Sequence, residues 1–180
     1  FRKQLELSNA AGMNKALPID YDHDNDLDLL LVGAQTVLLR NDGNGKFEDK
    51  SESFPAVKQG KALDAVMIAL RGDTAARDIV VSYSDRAGVL YTDKLNGVFE
   101  TSELPAISAG STGLDAQDFN HDGLIDVVVY GPEVYAVRNH EGKLELAEGA
   151  KTAPSRVRAD FNGDKREDYA RLLTDGSLHL

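Results

Sequence analysis

The chain has 180 residues, 42% of them hydrophobic, which is enough for a sizeable core in one domain or a modest pair and is not a disordered composition. Its 30 acidic and 20 basic residues give a formal net charge of -10, which argues against a nucleic-acid partner and against a polybasic membrane contact. Cysteine is absent, which removes disulfides, thiolate nucleophiles and cysteine-based zinc sites.

In chain order, a short strand over 15–19 leads into Asp20-Tyr21-Asp22-His23-Asp24-Asn25-Asp26-Leu27-Asp28, with a carboxylate at every even position. Like charges two residues apart repel unless something positive sits among them. Hard oxygen ligands at alternate positions of a short loop suit Ca²⁺, which accepts several carboxylate and carbonyl oxygens in a flexible shell, better than Mg²⁺. The bland alternative for a single copy is an acidic surface loop. An apolar strand over 29–32 follows at once, then a third strand over 36–40, the turn Asn41-Asp42-Gly43-Asn44-Gly45 and a fourth strand.

The same order recurs. A strand over 62–69 precedes Leu70-Arg71-Gly72-Asp73-Thr74-Ala75-Ala76-Arg77-Asp78, which keeps the final aspartate and the apolar strand (79–83) but loses the other acids, so no metal is expected there. A strand over 89–92 and the turn Leu95-Asn96-Gly97 complete that unit. The third has strands over 112–117 and 134–138, the loop Asp118-Phe119-Asn120-His121-Asp122-Gly123-Leu124-Ile125-Asp126 followed by Val127-Val128-Val129-Tyr130, and the turn His140-Glu141-Gly142. The fourth has strands over 156–159 and 177–180 and the loop Asp160-Phe161-Asn162-Gly163-Asp164-Lys165-Arg166-Glu167-Asp168. The prolines of the connectors, Pro55, Pro105 and Pro154, fall in register and end strand pairing. No stretch reads as a helix.

The final aspartates recur at intervals of 50, 48 and 42 residues, within the range that marks propellers and solenoids. Second strands that are apolar on successive residues suit sheets covered on both faces. The expected fold is therefore all-β, a β-propeller of four-stranded antiparallel blades. One domain over 1–180 divides into blade 1 at about 14–50, blade 2 at about 61–101, blade 3 at about 111–148, and blade 4 at about 155–180 plus 1–8. Lys3-Gln4-Leu5-Glu6-Leu7 looks like the fourth strand Lys143-Leu144-Glu145-Leu146, so the N-terminal strand is expected to close the last blade and make a four-bladed ring. A segment of a larger ring is the alternative.

These loops with their following strands resemble FG-GAP or VCBS repeats, the calcium-loop blades of integrin α-subunit propellers and of many secreted bacterial proteins; the segment from Leu39 to Phe47 also looks like the bacterial members. The resemblance covers essentially the whole chain. It implies a propeller whose loops bind Ca²⁺ through side chains at loop positions one, three, five and nine and the carbonyl at position seven. Carried over residue by residue, the ligands are Asp20, Asp22, Asp24, Asp28 and the Asp26 carbonyl; Asp118, Asn120, Asp122, Asp126 and the Leu124 carbonyl; and Asp160, Asn162, Asp164, Asp168 and the Arg166 carbonyl. About three calcium sites follow, in blades 1, 3 and 4.

An EF-hand is rejected, because that loop needs a glutamate at its twelfth position and flanking helices, whereas Leu31, Val129 and Arg171 stand there before strands. Loop position six favours a residue tolerant of positive φ. Gly123 and Asn25 meet that demand, and Lys165 would be strained by about 1 kcal/mol, which makes its site the weakest of the three. Arg71-Gly72-Asp73 reads as an ordinary turn, and His23, His121, His140 and His179 form no zinc or catalytic cluster. His23 and His121, at even loop positions, are expected to point away from the metal.

Catalysis is the weaker hypothesis, since every clustered aspartate is claimed by a loop and no nucleophile with a nearby base stands out. The reading is a non-enzymatic adhesion, recognition or scaffolding module whose partner is an unidentified protein or glycan, with no nucleic acid and no direct membrane insertion. The alternatives are the carbohydrate- or substrate-binding appendage of a larger secreted enzyme, or a lectin, the latter disfavoured by the absence of tryptophan. An extracellular or periplasmic setting is expected. No signal-peptide pattern opens the chain, so any export signal is removed or lies outside it.

Overall fold

Short apolar runs punctuated by glycine, asparagine and proline fold into strands throughout. The structure, a computed structural model, describes residues 11–58, 60–72, 75–147, 156–163, 168–172 and 178–179. Strands β1 (Met13–Ile19), β2 (Asp28–Gly33), β3 (Thr36–Asn41) and β4 (Phe47–Asp49) form the first antiparallel sheet. The second contains β5 (Ala62–Ile68), β6 (Asp78–Tyr83), β7 (Gly88–Asp93) and β8 (Phe99–Leu104). The third contains β9 (Gly113–Gln117), β10 (Asp126–Tyr130), β11 (Tyr135–His140) and β12 (Lys143–Leu146). A fourth, three-stranded among the described residues, contains β13 (Arg156–Ala159), β14 (Asp168–Leu172) and β15 (Leu178–His179). Helical structure among the described residues is a single 3-10 turn at Ser51–Ser53.

Each sheet is a meander in which consecutive strands pair. The register repeats: the last residue of the first strand lies opposite the final aspartate of the loop, as Ile19 with Asp28, Ile68 with Asp78, Gln117 with Asp126 and Ala159 with Asp168. Eight residues lie between these partners in the first, third and fourth sheets. In the second, β5 ends at Ile68, one residue earlier than the expected 69, and the loop is one residue longer.

The first three sheets pack face to face in chain order. Leu30 and Val32 of β2 meet Ile79, Val81 and Tyr83 of β6, with Tyr91 and Phe54, to fill the first interface. Val80, on the opposite face of β6, packs with Ile68, Leu114, Val127, Val129 and Val137 in the second. The central strands are thus buried on both sides, which is why their sequences show no alternation of polar and apolar residues. Strand β5 lies against both β1 and β9, so the first strands of three sheets run side by side.

The described sheets do not close into a ring. The expected closing strand at 1–8, and residue 180, lie outside the described residues. No helix among the described residues is long and apolar enough to cross a membrane.

Candidate metal centre

The loop between the first and second strands is placed by its last residue. Asp28, fully buried at the start of β2, accepts the Tyr21 N–H on Oδ2 at 2.9 Å and the Asn41 N–H on Oδ1 at 2.8 Å. Asp126 does the same with Phe119 at 3.0 Å and Asn139 at 2.7 Å. Ninth-position aspartates therefore hold the loop's second residue and the end of the third strand, whatever else they bind. Burial pushes the Asp28 carboxyl above its ordinary range; the two N–H groups oppose this, and the charges of Asp22 and Asp24 reinforce it.

In the first loop Asp20, Asp22 and Asp28 each bring a carboxylate oxygen within 4.8 Å of the others, the one such group of three among the described residues. Asp20 Oδ2 accepts the Asn25 N–H at 3.2 Å, which closes the loop. Asp20 Oδ1 and Asp22 Oδ1 are buried and have no hydrogen-bond partner. Two orphaned oxygens beside a buried carboxylate are costly without a cation. These residues therefore fit a hard divalent ion: the donors are all oxygen, and two of them have no other partner.

Of the other predicted ligands of this loop, the Asp24 side chain lies elsewhere. Asp24 stands outside the group, its Oδ1 accepting the Asp26 N–H at 2.9 Å and its Oδ2 the Arg40 guanidinium at 2.7 Å. Arg40 Nε also donates to Asp22 Oδ2 at 2.5 Å. Asp22, by hydrogen bond and then by charge, holds Arg40 more firmly protonated than usual. The Asp26 side chain turns to the backbone of Gly43 in the β3–β4 turn. His23 Nε2 points away from the acids to Asp93 Oδ2 of the second sheet, 3.0 Å away, in line with its even position.

In the third loop every side-chain oxygen of the predicted ligands already accepts a hydrogen bond. Asp118 takes the N–H groups of Asp122 and Gly123, Asn120 that of Asp122, and Asp122 that of Leu124 together with the Asn120 amide. The Leu124 N–H, then Asn120, hold the Asp122 carboxyl below its usual value. Asp118, Asp122 and Asp126 do not approach to the spacing seen in the first loop. In the fourth, Asp160 and Asn162 are exposed, and the Gly163 N–H donates to Asp160 Oδ1 at 2.5 Å. Asp164 and Arg166 lie outside the described residues, as does Lys165, and of Asp168 only the backbone, at the start of β14, is described.

The second loop carries its own cation. Arg71 Nη2 donates to Asp78 Oδ1 at 3.2 Å and to the Asp93 carbonyl at 3.0 Å, so the arginine of the Arg-Gly-Asp tripeptide is turned inward; Asp73 lies outside the described residues.

Sequence reasoning anticipated positive φ at position six, where Asn25 has 72° and Gly123 87°. It missed position four, where His23 (62°), His121 (61°) and Gly163 (80°) are left-handed too. It also missed Arg40. The available signal was Arg40-Asn41 recurring as Arg138-Asn139 in the two units whose acid loops are described, against Thr92-Asp93 in the unit without acids. Comparison with protein-family models and with curated proteins finds no match to this chain.

Proposed function

We propose that the chain is a calcium-stabilised β-propeller of the FG-GAP/VCBS kind, acting without catalysis as an adhesion, recognition or scaffolding module in a calcium-rich, extracytoplasmic setting. The carrying observation is the Asp20, Asp22 and Asp28 group with its two orphaned buried oxygens. Repetition supports the propeller: one register in four sheets, and, in the first three, sequential face-to-face packing with first strands side by side. A bound ion supplies positive charge that neutralises the loop. The chain's own residues then fix the ends of the first two strands in relation to the third through Asp28. The acids of the third and fourth loops are proposed as further sites of the same kind.

Isothermal titration calorimetry with calcium tests the reading. Wild type is expected to bind with a Kd of about 0.1 to 1 mM, the range of extracellular modules, and to melt higher with calcium than with chelator. Asp20→Ala is expected to remove one binding phase. Absence of both heat and thermal shift in wild type overturns the proposal.

The reading as a glycan- or substrate-contacting appendage is supported by a cleft of about 540 Å³ between the first two sheets, within the usual size of ligand sites. Gln35, Thr36, Glu52, Lys58, Phe54 and Tyr83 line it. Glycan-array binding lost on Glu52→Ala would favour this role, and an array without any hit would remove its support.

A further inference from the structure

The first loop carries more negative charge than its three clustered carboxylates account for, and a side chain from another strand answers it. Arg40 reaches from β3 to Asp22 Oδ2 and Asp24 Oδ2 with two nitrogens of one guanidinium. With the Asp26 N–H on its other oxygen, both oxygens of Asp24 accept a hydrogen bond and Asp24 stays outside the group of three. Asp22 is divided: one oxygen is on Arg40, and the other is buried without a partner.

The arrangement has an internal parallel. Asn41 and Asn139 occupy equivalent places, each donating its N–H to a ninth-position aspartate, so the preceding Arg40 and Arg138 are equivalent as well. Arg138 exerts its charge on Asp122, which stands at the same loop position as Asp24. Where the acids are lost, in the second unit, the equivalent of Arg40 is Thr92, and a different guanidinium, that of Arg71, sits on Asp78.

We propose that Arg40 is a tethered counter-cation of the first acid loop, which competes with a divalent ion for Asp22 and Asp24 and so sets the calcium concentration at which the site fills. This rests on the calcium reading above. At low calcium the guanidinium holds the acids together. An ion that recruits Asp24, or more of Asp22, must draw them from charge-assisted hydrogen bonds that a lysine's single ammonium would not reproduce.

The test is calcium titration by calorimetry of wild type, Arg40→Gln and Arg40→Lys, with thermal unfolding of each in chelator. Arg40→Gln is expected to bind calcium about two- to fivefold more tightly, the range a partly exposed charge pair supports, and to melt below wild type in chelator. Arg40→Lys, which keeps the charge should glutamine leave the loop unfolded, is expected to fall between the two. Calcium binding by wild type with neither variant tighter overturns this inference alone. Absence of binding by all three proteins overturns the calcium reading and this inference with it.

Discussion

Asp28 and Asn41 are joined by a hydrogen bond of 2.8 Å from the Asn41 backbone N–H to Asp28 Oδ1, and the same bond, 2.7 Å long, joins Asp126 to Asn139. The second sheet repeats it between Asp78 and the Asp93 N–H at 2.9 Å, although its loop has lost the other acids. A residue type retained where a metal is not expected has a second role. Here that role is to satisfy backbone donors that burial would otherwise leave unpaired.

Asp126→Ala leaves the N–H groups of Phe119 and Asn139 without their acceptors, at about 1–3 kcal/mol each. The expected loss in urea unfolding is therefore about 2–6 kcal/mol, and it persists in chelator, because it does not depend on an ion. Asp122→Ala, in the exposed part of the same loop, costs less. A loss on Asp126→Ala that vanishes in chelator would contradict this reading and assign Asp126 to metal binding alone.

Asp78 gives a pH dependence. It is fully buried, and burial raises its carboxyl above the ordinary aspartate range, opposed by the Asp93 N–H and the Arg71 charge and reinforced by the Asp93 charge. A raised carboxyl binds more protons in the folded state than in the unfolded one, so its contribution is fully present below the unfolded value and is lost as pH rises through the folded value. Asp78→Asn does not titrate at this position. The stability of wild type relative to this variant, measured by denaturant unfolding in chelator, is expected to shrink as pH rises above the ordinary carboxylate range; an advantage that grows with pH contradicts the account.

Gly97 tests how the first loop meets the second sheet. Its φ is 75°, and a Cβ there would lie 3.0 Å from Tyr21 Cε2. Gly45 has a φ of 83° and no neighbour in the way. Gly45→Ala is expected to cost about 1 kcal/mol from backbone strain, and Gly97→Ala about 1–3 kcal/mol as overpacking is added. Matching denaturation midpoints for the two variants would show that Tyr21 does not press on this turn.

Much of the fold was legible because the second strand of each of the first three sheets is buried on both faces. Runs such as Leu29 to Val32 and Val127 to Val129 announce such strands without alternation, and Gly43, Gly97 and Gly142 mark turns that need positive φ. Strand ends fell within a residue or two of the expected places because the acids at 20, 118 and 160 cannot continue an apolar strand. The site was less legible. Alternate aspartates indicate a cation, and the structure gathers Asp20, Asp22 and Asp28 as expected. Which cation each acid meets depends on residues brought near by sheet pairing: Arg40 is 18 residues from Asp22, and Asp93 is 70 from His23. The left-handed histidines at position four escaped notice because positive φ is uncommon for any residue but glycine, histidine included, though it takes that conformation more often than most.

A crystal structure grown in millimolar calcium tests the central claim most directly. The account predicts an ion bonded by Asp20, Asp22 and Asp28 at about 2.3–2.6 Å, the distance calcium takes to oxygen. A first loop without an ion at saturating calcium, with Asp20 Oδ1 and Asp22 Oδ1 satisfied by water alone, would contradict it.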